Sequence, residues 1–127
     1  MKKLIFTFLF STLVFSSPSY AGWTIVNASD KNTLYVDFDR IRKHDGYVYF
    51  WQLLDYLKRD EYGDLSTRRY VQGDCKLFRW KVLSDSFYRG PMGRGTLSSS
   101  SNTPDNEWDY APPNSYIEDN LKQVCSK

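Results

Sequence analysis

The chain has a single histidine, His44, and only two cysteines, Cys75 and Cys125. One histidine leaves little material for an acid/base relay, and it stands beside Asp45 and Gly46, where it reads as a solvated turn residue. The cysteines are 125 − 75 = 50 positions apart, without the close Cys/His spacing of zinc sites. A second long hydrophobic run is also missing: after residues 4–15 nothing approaches the roughly 20 apolar residues of a membrane span. Nor is one charge sign in excess. The 17 basic residues include Lys2 and Lys3, and without those two they equal the 15 acidic ones. A neutral domain has no net field to draw in nucleic acid or anionic lipid, so neither is expected as a partner.

What is present begins with an address. Lys2 and Lys3 precede an apolar run at 4–15 that only Thr7, Ser11 and Thr12 interrupt, and Ser19-Tyr20-Ala21 places small residues three and one positions before Gly22. This is the pattern of a secretory signal cleaved between Ala21 and Gly22. Residues 1–21 are read as signal peptide and 22–127 as a single domain. Removing 21 of 127 residues leaves 106, enough for one core that buries roughly two thirds of the unfolded surface. No cysteine stands just after the cleavage position, so the usual lipid attachment point and a stable membrane anchor are not expected. In an exported chain an even cysteine pair reads as a disulfide, Cys75–Cys125. Closing a loop of that length destabilises the unfolded state by up to about 4 kcal/mol.

Along the mature chain, 23–26 and 34–38 are β-branched and aromatic runs around the turn formers at 27–32, which predicts a hairpin. Residues 39–43 read as a polar connector with one helical turn. The run 47–57 (YVYFWQLLDYL) is the strongest strand, with Tyr47, Tyr49, Trp51 and Leu53 on one side and Val48, Phe50 and Leu54 on the other. Further strands are expected at 66–71 and 76–83, the latter continuing to 89, and a tight Gly/Pro connection at 90–95 leads to a short run at 96–97. Residues 98–107, without an apolar side chain, read as a solvated loop. Ser115 and Glu118 have capping-box spacing, and Ile117, Leu121, Val124 and Cys125 share one helical face. Phe78, Trp80 and Val82 share a strand face that strict alternation denies to Cys75; a bulge or bend between Cys75 and Phe78 would resolve the conflict, but the sequence does not show one. The fold class is α+β: a strongly curved, mostly antiparallel sheet of about five to six strands with one C-terminal α-helix pinned by the disulfide. One helix cannot cover both faces, so the sheet curls on itself or its second face meets a homodimer mate or another partner.

Several segments taken together carry a resemblance: Tyr35-Val36-Asp37, FWQLLDY at 50–56, Ser66, GDC at 73–75, YRGPMGRG at 88–95, EWDYAPPNS at 107–115 and LKQVC at 121–125. In this order, over essentially the whole mature chain, they resemble the surface-adhesin protein E family of exported bacterial domains. The resemblance implies a curved antiparallel sheet with a C-terminal helix, the same disulfide, and for the founding type attachment of the bacterial surface to host extracellular proteins.

The candidates for chemistry are few. Asp37 and Asp39, two apart, are the one pair that an acid/base or cation site could use, but a calcium loop fails because Ile41 and Arg42 occupy the ligand and glycine positions. Serines 98–101 lack a strand-turn-helix context, and the glycines at 90, 93 and 95 lack the ending of a phosphate loop. With no nucleophile, base and oxyanion donor assembled, neither enzyme activity nor a cofactor or metal is expected. The nine tyrosines and four tryptophans of the mature chain favour protein binding. Arg40, Arg42 and Lys43, with Arg68 and Arg69, are the basic clusters able to meet acidic protein or sulfated polysaccharide. Two functions follow as expectations: an adhesin-like domain binding host matrix protein, or a periplasmic structural or assembly component docking on another envelope protein.

Overall fold

The computed structural model describes residues 22–127; the expected signal peptide, residues 1–21 ending at Ala21, lies outside the described residues. Eight strands, β1 (Trp23–Ala28), β2 (Asn32–Asp37), β3 (Arg42–His44), β4 (Tyr47–Tyr56), β5 (Ser66–Asp74), β6 (Arg79–Tyr88), β7 (Leu97–Ser101) and β8 (Asp109–Tyr110), precede the helix α1 (Tyr116–Cys125). They form one open, wholly antiparallel sheet in the order β1-β2-β4-β5-β6-β7, with β3 beside β4 and β8 beside β6. Eight strands replace the expected five to six because β3, β7 and β8 are short and mostly exposed. Their backbones are held by a neighbouring strand, while their side chains carry no apolar alternation to reveal them. The serine run expected as loop is the clearest case, since serines 98–101 complete β7 and three of them, 99–101, pair with Phe87, Ser86 and Asp85 of β6.

The first hairpin forms where the turn residues place it, and the polar connector contains a single 3-10 turn, Phe38–Arg40, capped by Asp37. Val26, Leu83 and Ser98 stand outside the register of their strand pairs, as bulges that bend β1, β6 and β7.

The core lies on one face of this sheet. Val36, Val48, Phe50 and Val71 are buried against Leu121 and Val124 of α1. Gly73 faces the same side, opposite Val48. A Cβ built there would lie 2.9 Å from Val48 Cγ1 and 3.0 Å from Leu121 Cδ2, so the missing side chain is the space the helix occupies. The helix starts on Ser115, whose Oγ accepts from the Glu118 amide at 3.2 Å, and Glu118 Oε1 accepts from the Asn114 amide rather than that of Ser115. Its last residue, Cys125, is bonded to Cys75 across a sequence separation of 50 residues.

Between Cys75 and Phe78 the chain makes the bend that alternation required. Asp74 Oδ1 accepts from the amides of Lys76 and Leu77 at 3.0 and 3.2 Å, Oδ2 accepts from Arg79 Nε at 2.9 Å, and Phe78 takes a positive φ of 56°. The expected strand at 76–83 therefore starts only at Arg79, and Cys75 keeps the phase of β5, on the helix side. Burial tends to raise the Asp74 pKa, but the Arg79 bond and the two turn amides outweigh it and hold the carboxyl below its ordinary value.

Two outcomes follow. Gly73→Ala forces a methyl into the helix contact and should lower stability by about 1–3 kcal/mol in denaturant unfolding. Asp74→Asn should cost about 1–2 kcal/mol at pH 7. Because the native carboxyl titrates below its unfolded value near ~3.9, that deficit should be complete above about pH 4 and close as pH falls through the lowered native pKa. A deficit independent of pH would show that the charge of Asp74 is not what holds the turn.

Candidate functional site

The face opposite the helix is only partly covered. Alternation and register bring Tyr47, Tyr49, Trp51 and Leu53 of β4 together with Arg68, Tyr70 and Gln72 of β5 and Lys81 of β6. At one end the 90–95 connection closes over Leu53: Ser66 Oγ, fully buried, donates to Gly90 O at 2.7 Å and accepts from the Gly93 amide at 2.8 Å. Asp55 Oδ1 accepts from the Met92 amide at 2.7 Å. A Cβ at Gly90 would come within 2.6 Å of the Arg94 carbonyl, so this clasp requires glycine. At the other end Trp108 stacks on Tyr47 with centroids 5.5 Å apart, beneath Arg79 and Lys81 at 4.4 and 4.6 Å. The sheet thus neither closes on itself nor leaves this face wholly bare.

Between the two covers runs a file of rings and cations across four strands. Arg42 lies 5.9 Å from the Tyr49 ring, Tyr49 is 6.2 Å from Tyr70, and Tyr70 is 4.8 Å from Trp51. Trp51 is 5.5 Å from Arg68, which is also 5.7 Å from Tyr88. All four rings are half-buried, standing side by side as neighbouring strands dictate. Their hydroxyls are tied to the same network: Tyr49 Oη accepts from Gln72 Nε2 at 3.1 Å, Tyr88 Oη from Arg68 Nη2 at 3.2 Å, and Tyr70 Oη from Arg42 Nη1 at 3.4 Å. Cation–π contact and rigid rings give this strip the composition of a recognition surface.

The basic residues singled out in the sequence do not stay together. Arg42 and Arg68 join the file. Arg69, adjacent to Arg68 in a strand, points to the helix face, where its Nε and Nη2 donate to Gln52 Oε1 and it lies 5.9 Å from the Trp80 ring. Gln52 in turn donates to Asn120 of α1, and both are fully buried. On that side burial raises the Asp85 pKa; Arg69 opposes this and Asp105 adds to it. Arg40 is paired with buried Asp37 at 2.7 Å, and Lys43 donates to the Lys127 carbonyl. Asp37 is thereby occupied as the cap of the 3-10 turn, accepting also from the Asp39 amide at 3.1 Å. His44 ends β3 exposed, 3.1 Å from Asp45.

Sequence pattern alone showed the β4 half of the file. Arg68-x-Tyr70-x-Gln72 is an alternation that signals the β5 half, but only strand register shows that it falls beside Trp51. Trp108 stood in the EWDYAPPNS segment, but nothing in that segment placed it over Tyr47. Among the described residues no three His, Cys, Asp or Glu side chains are grouped to hold a metal ion, and no helix is long and apolar enough to cross a membrane.

The comparisons agree with one another. The fold is similar to that of Haemophilus influenzae protein E in its crystal form II, with a TM-score of 0.64 at 15% identity, covering 90% of this chain and 97% of that one. It is likewise similar to the selenomethionine form of the same protein, with a TM-score of 0.67 at 15% identity over 90% and 93% of the two chains. At that identity the likeness speaks for the fold alone. Among curated proteins none matches the chain. The family model for surface-adhesin protein E matches residues 23–126, nearly the whole described domain, and the chain belongs to that family.

Proposed function

We propose that the mature domain, residues 22–127, is exported and acts at the cell surface as a non-enzymatic adhesin-like module that binds a host extracellular-matrix protein through the face opposite the helix. The observation that carries this is the file from Arg42 through Tyr49, Tyr70, Trp51 and Arg68 to Tyr88. Tyrosine, tryptophan and arginine dominate binding hot spots because they bring large area and few torsions, and here neighbouring rings fix those torsions before any partner arrives. Family membership supports an adhesive role, and the leader supports export. The polar groups that catalysis would recruit are bound into structure, Asp37 as a cap and Ser66 as a clasp.

Binding of the purified domain to immobilised extracellular-matrix proteins tests the reading. Trp51→Ala should weaken it by at least about 2 kcal/mol, roughly thirtyfold in Kd, in a protein that retains its cooperative unfolding. Protease applied to intact cells should remove the domain. Protection from protease together with capture of an envelope protein in place of matrix protein would instead establish the periplasmic docking role.

A further inference from the structure

We infer that the segment docking on the file is acidic, with carboxylates seated on Arg42 and Arg68. The inference rests on the reading of this face as a protein contact and adds the chemistry of the partner. Among the described residues neither arginine has a carboxylate within ion-pair distance, unlike Arg40, Arg79 and Arg89. The Nε of Arg68 is buried without any acceptor. Three carboxylates that alternation puts on this face are already engaged, Asp74 by its turn and Arg79, Asp55 by the Met92 amide under the 90–95 clasp, and Asp37 by Arg40 and the Asp39 amide.

The hydrogen-bonding inventory of the strip is correspondingly one-sided. Tyr49, Tyr70 and Tyr88 each accept an N–H with the hydroxyl oxygen, which leaves their own O–H protons to donate. The guanidinium groups only donate, and the one side-chain amide bonded to the file, Gln72, donates to it through Nε2. Any macromolecule that covers the strip strips water from two charges that the chain itself does not neutralise. A neutral or basic partner would leave those charges buried and unpaired, a cost that grows with the completeness of the contact. A carboxylate-bearing segment cancels it with charge-assisted bonds. The file crosses β4 and β5, whose backbones are paired on both sides, so recognition there proceeds through side chains and not by strand addition. A Tyr/Trp/Arg surface of this kind is the composition of protein hot spots, which favours an acidic polypeptide over a polysaccharide.

Three probes separate the outcomes: a random Glu/Tyr copolymer, a Lys/Tyr copolymer of equal length, and heparin, each titrated into the isotope-labelled mature domain and followed by amide and indole NMR shifts. The Glu/Tyr copolymer should bind with shifts centred on Trp51 and Tyr70. Raising salt should weaken it, and Arg42→Gln/Arg68→Gln together should weaken it by at least about tenfold. Arg42→Gln alone, on exposed β3, removes no buried side chain and should weaken it measurably. Equal binding of the Lys/Tyr copolymer, no binding of the Glu/Tyr copolymer, or heparin binding in its place would each overturn the inference. If matrix-protein capture depends on Trp51 but is insensitive to the arginine pair, acidity fails while the protein-contact reading stands. Capture insensitive to both removes the face altogether.

Discussion

Three consecutive residues at the end of β5 determine how the rest of the domain is arranged. Gly73 leaves the hollow into which Leu121 descends, Asp74 binds the turn that follows, and Cys75 is tied to the last residue of the helix. Because the strand alternates, Gly73 and Cys75 face the helix while Asp74 faces the other side, where Arg79 meets it. One short segment thus sets the helix position, its covalent tether and the start of β6. A ten-residue helix contributes only a narrow apolar stripe, three buried residues of which are apolar, and its hold on the sheet depends on that close approach.

Fixing the single helix on one face has a consequence for the other. Two connections, one clasped by Ser66 and one carrying Trp108, cover the ends of the opposite face and leave a strip of rings and arginines between them. Period-two geometry sorts charges that are neighbours in sequence: Arg68 goes to the strip, Arg69 into the Gln52–Asn120 network under the helix. The two arginines have opposite duties. Arg69 is spent internally, joining sheet to helix, whereas Arg68 lies between the Trp51 and Tyr88 rings with no carboxylate paired to it among the described residues.

Much of this was legible in the chain before any coordinates. The disulfide follows from two cysteines behind an export signal, the central strand from a long aromatic and aliphatic run, and the helix from Ser115, Glu118 and the spacing of Ile117, Leu121 and Val124. The conflict of phase between Cys75 and Phe78 was visible too, but not the Asp74-bound turn that resolves it. What stayed hidden has physical reasons. Strands such as Leu97–Ser101 are held by backbone bonds to a neighbour, and serine side chains carry no trace of that. Gln52, a polar residue within an apolar run, gave no hint that Asn120 lies 68 positions away to receive its hydrogen bond. The family resemblance was readable because its shared segments are those that turn, clasp and tether, including Ser66 and Gly73-Asp74-Cys75.

Hydrogen exchange of the mature domain before and after reduction of Cys75–Cys125 tests most directly whether this tether and the Gly73 hollow hold the helix. Exchange reports local opening element by element. On reduction, the amides of α1 and of the turn after Asp74 should lose protection well before those of β4 and β5, whose pairing does not depend on the helix. Unchanged protection of α1 in the reduced protein, with the sheet losing protection instead, would contradict the account.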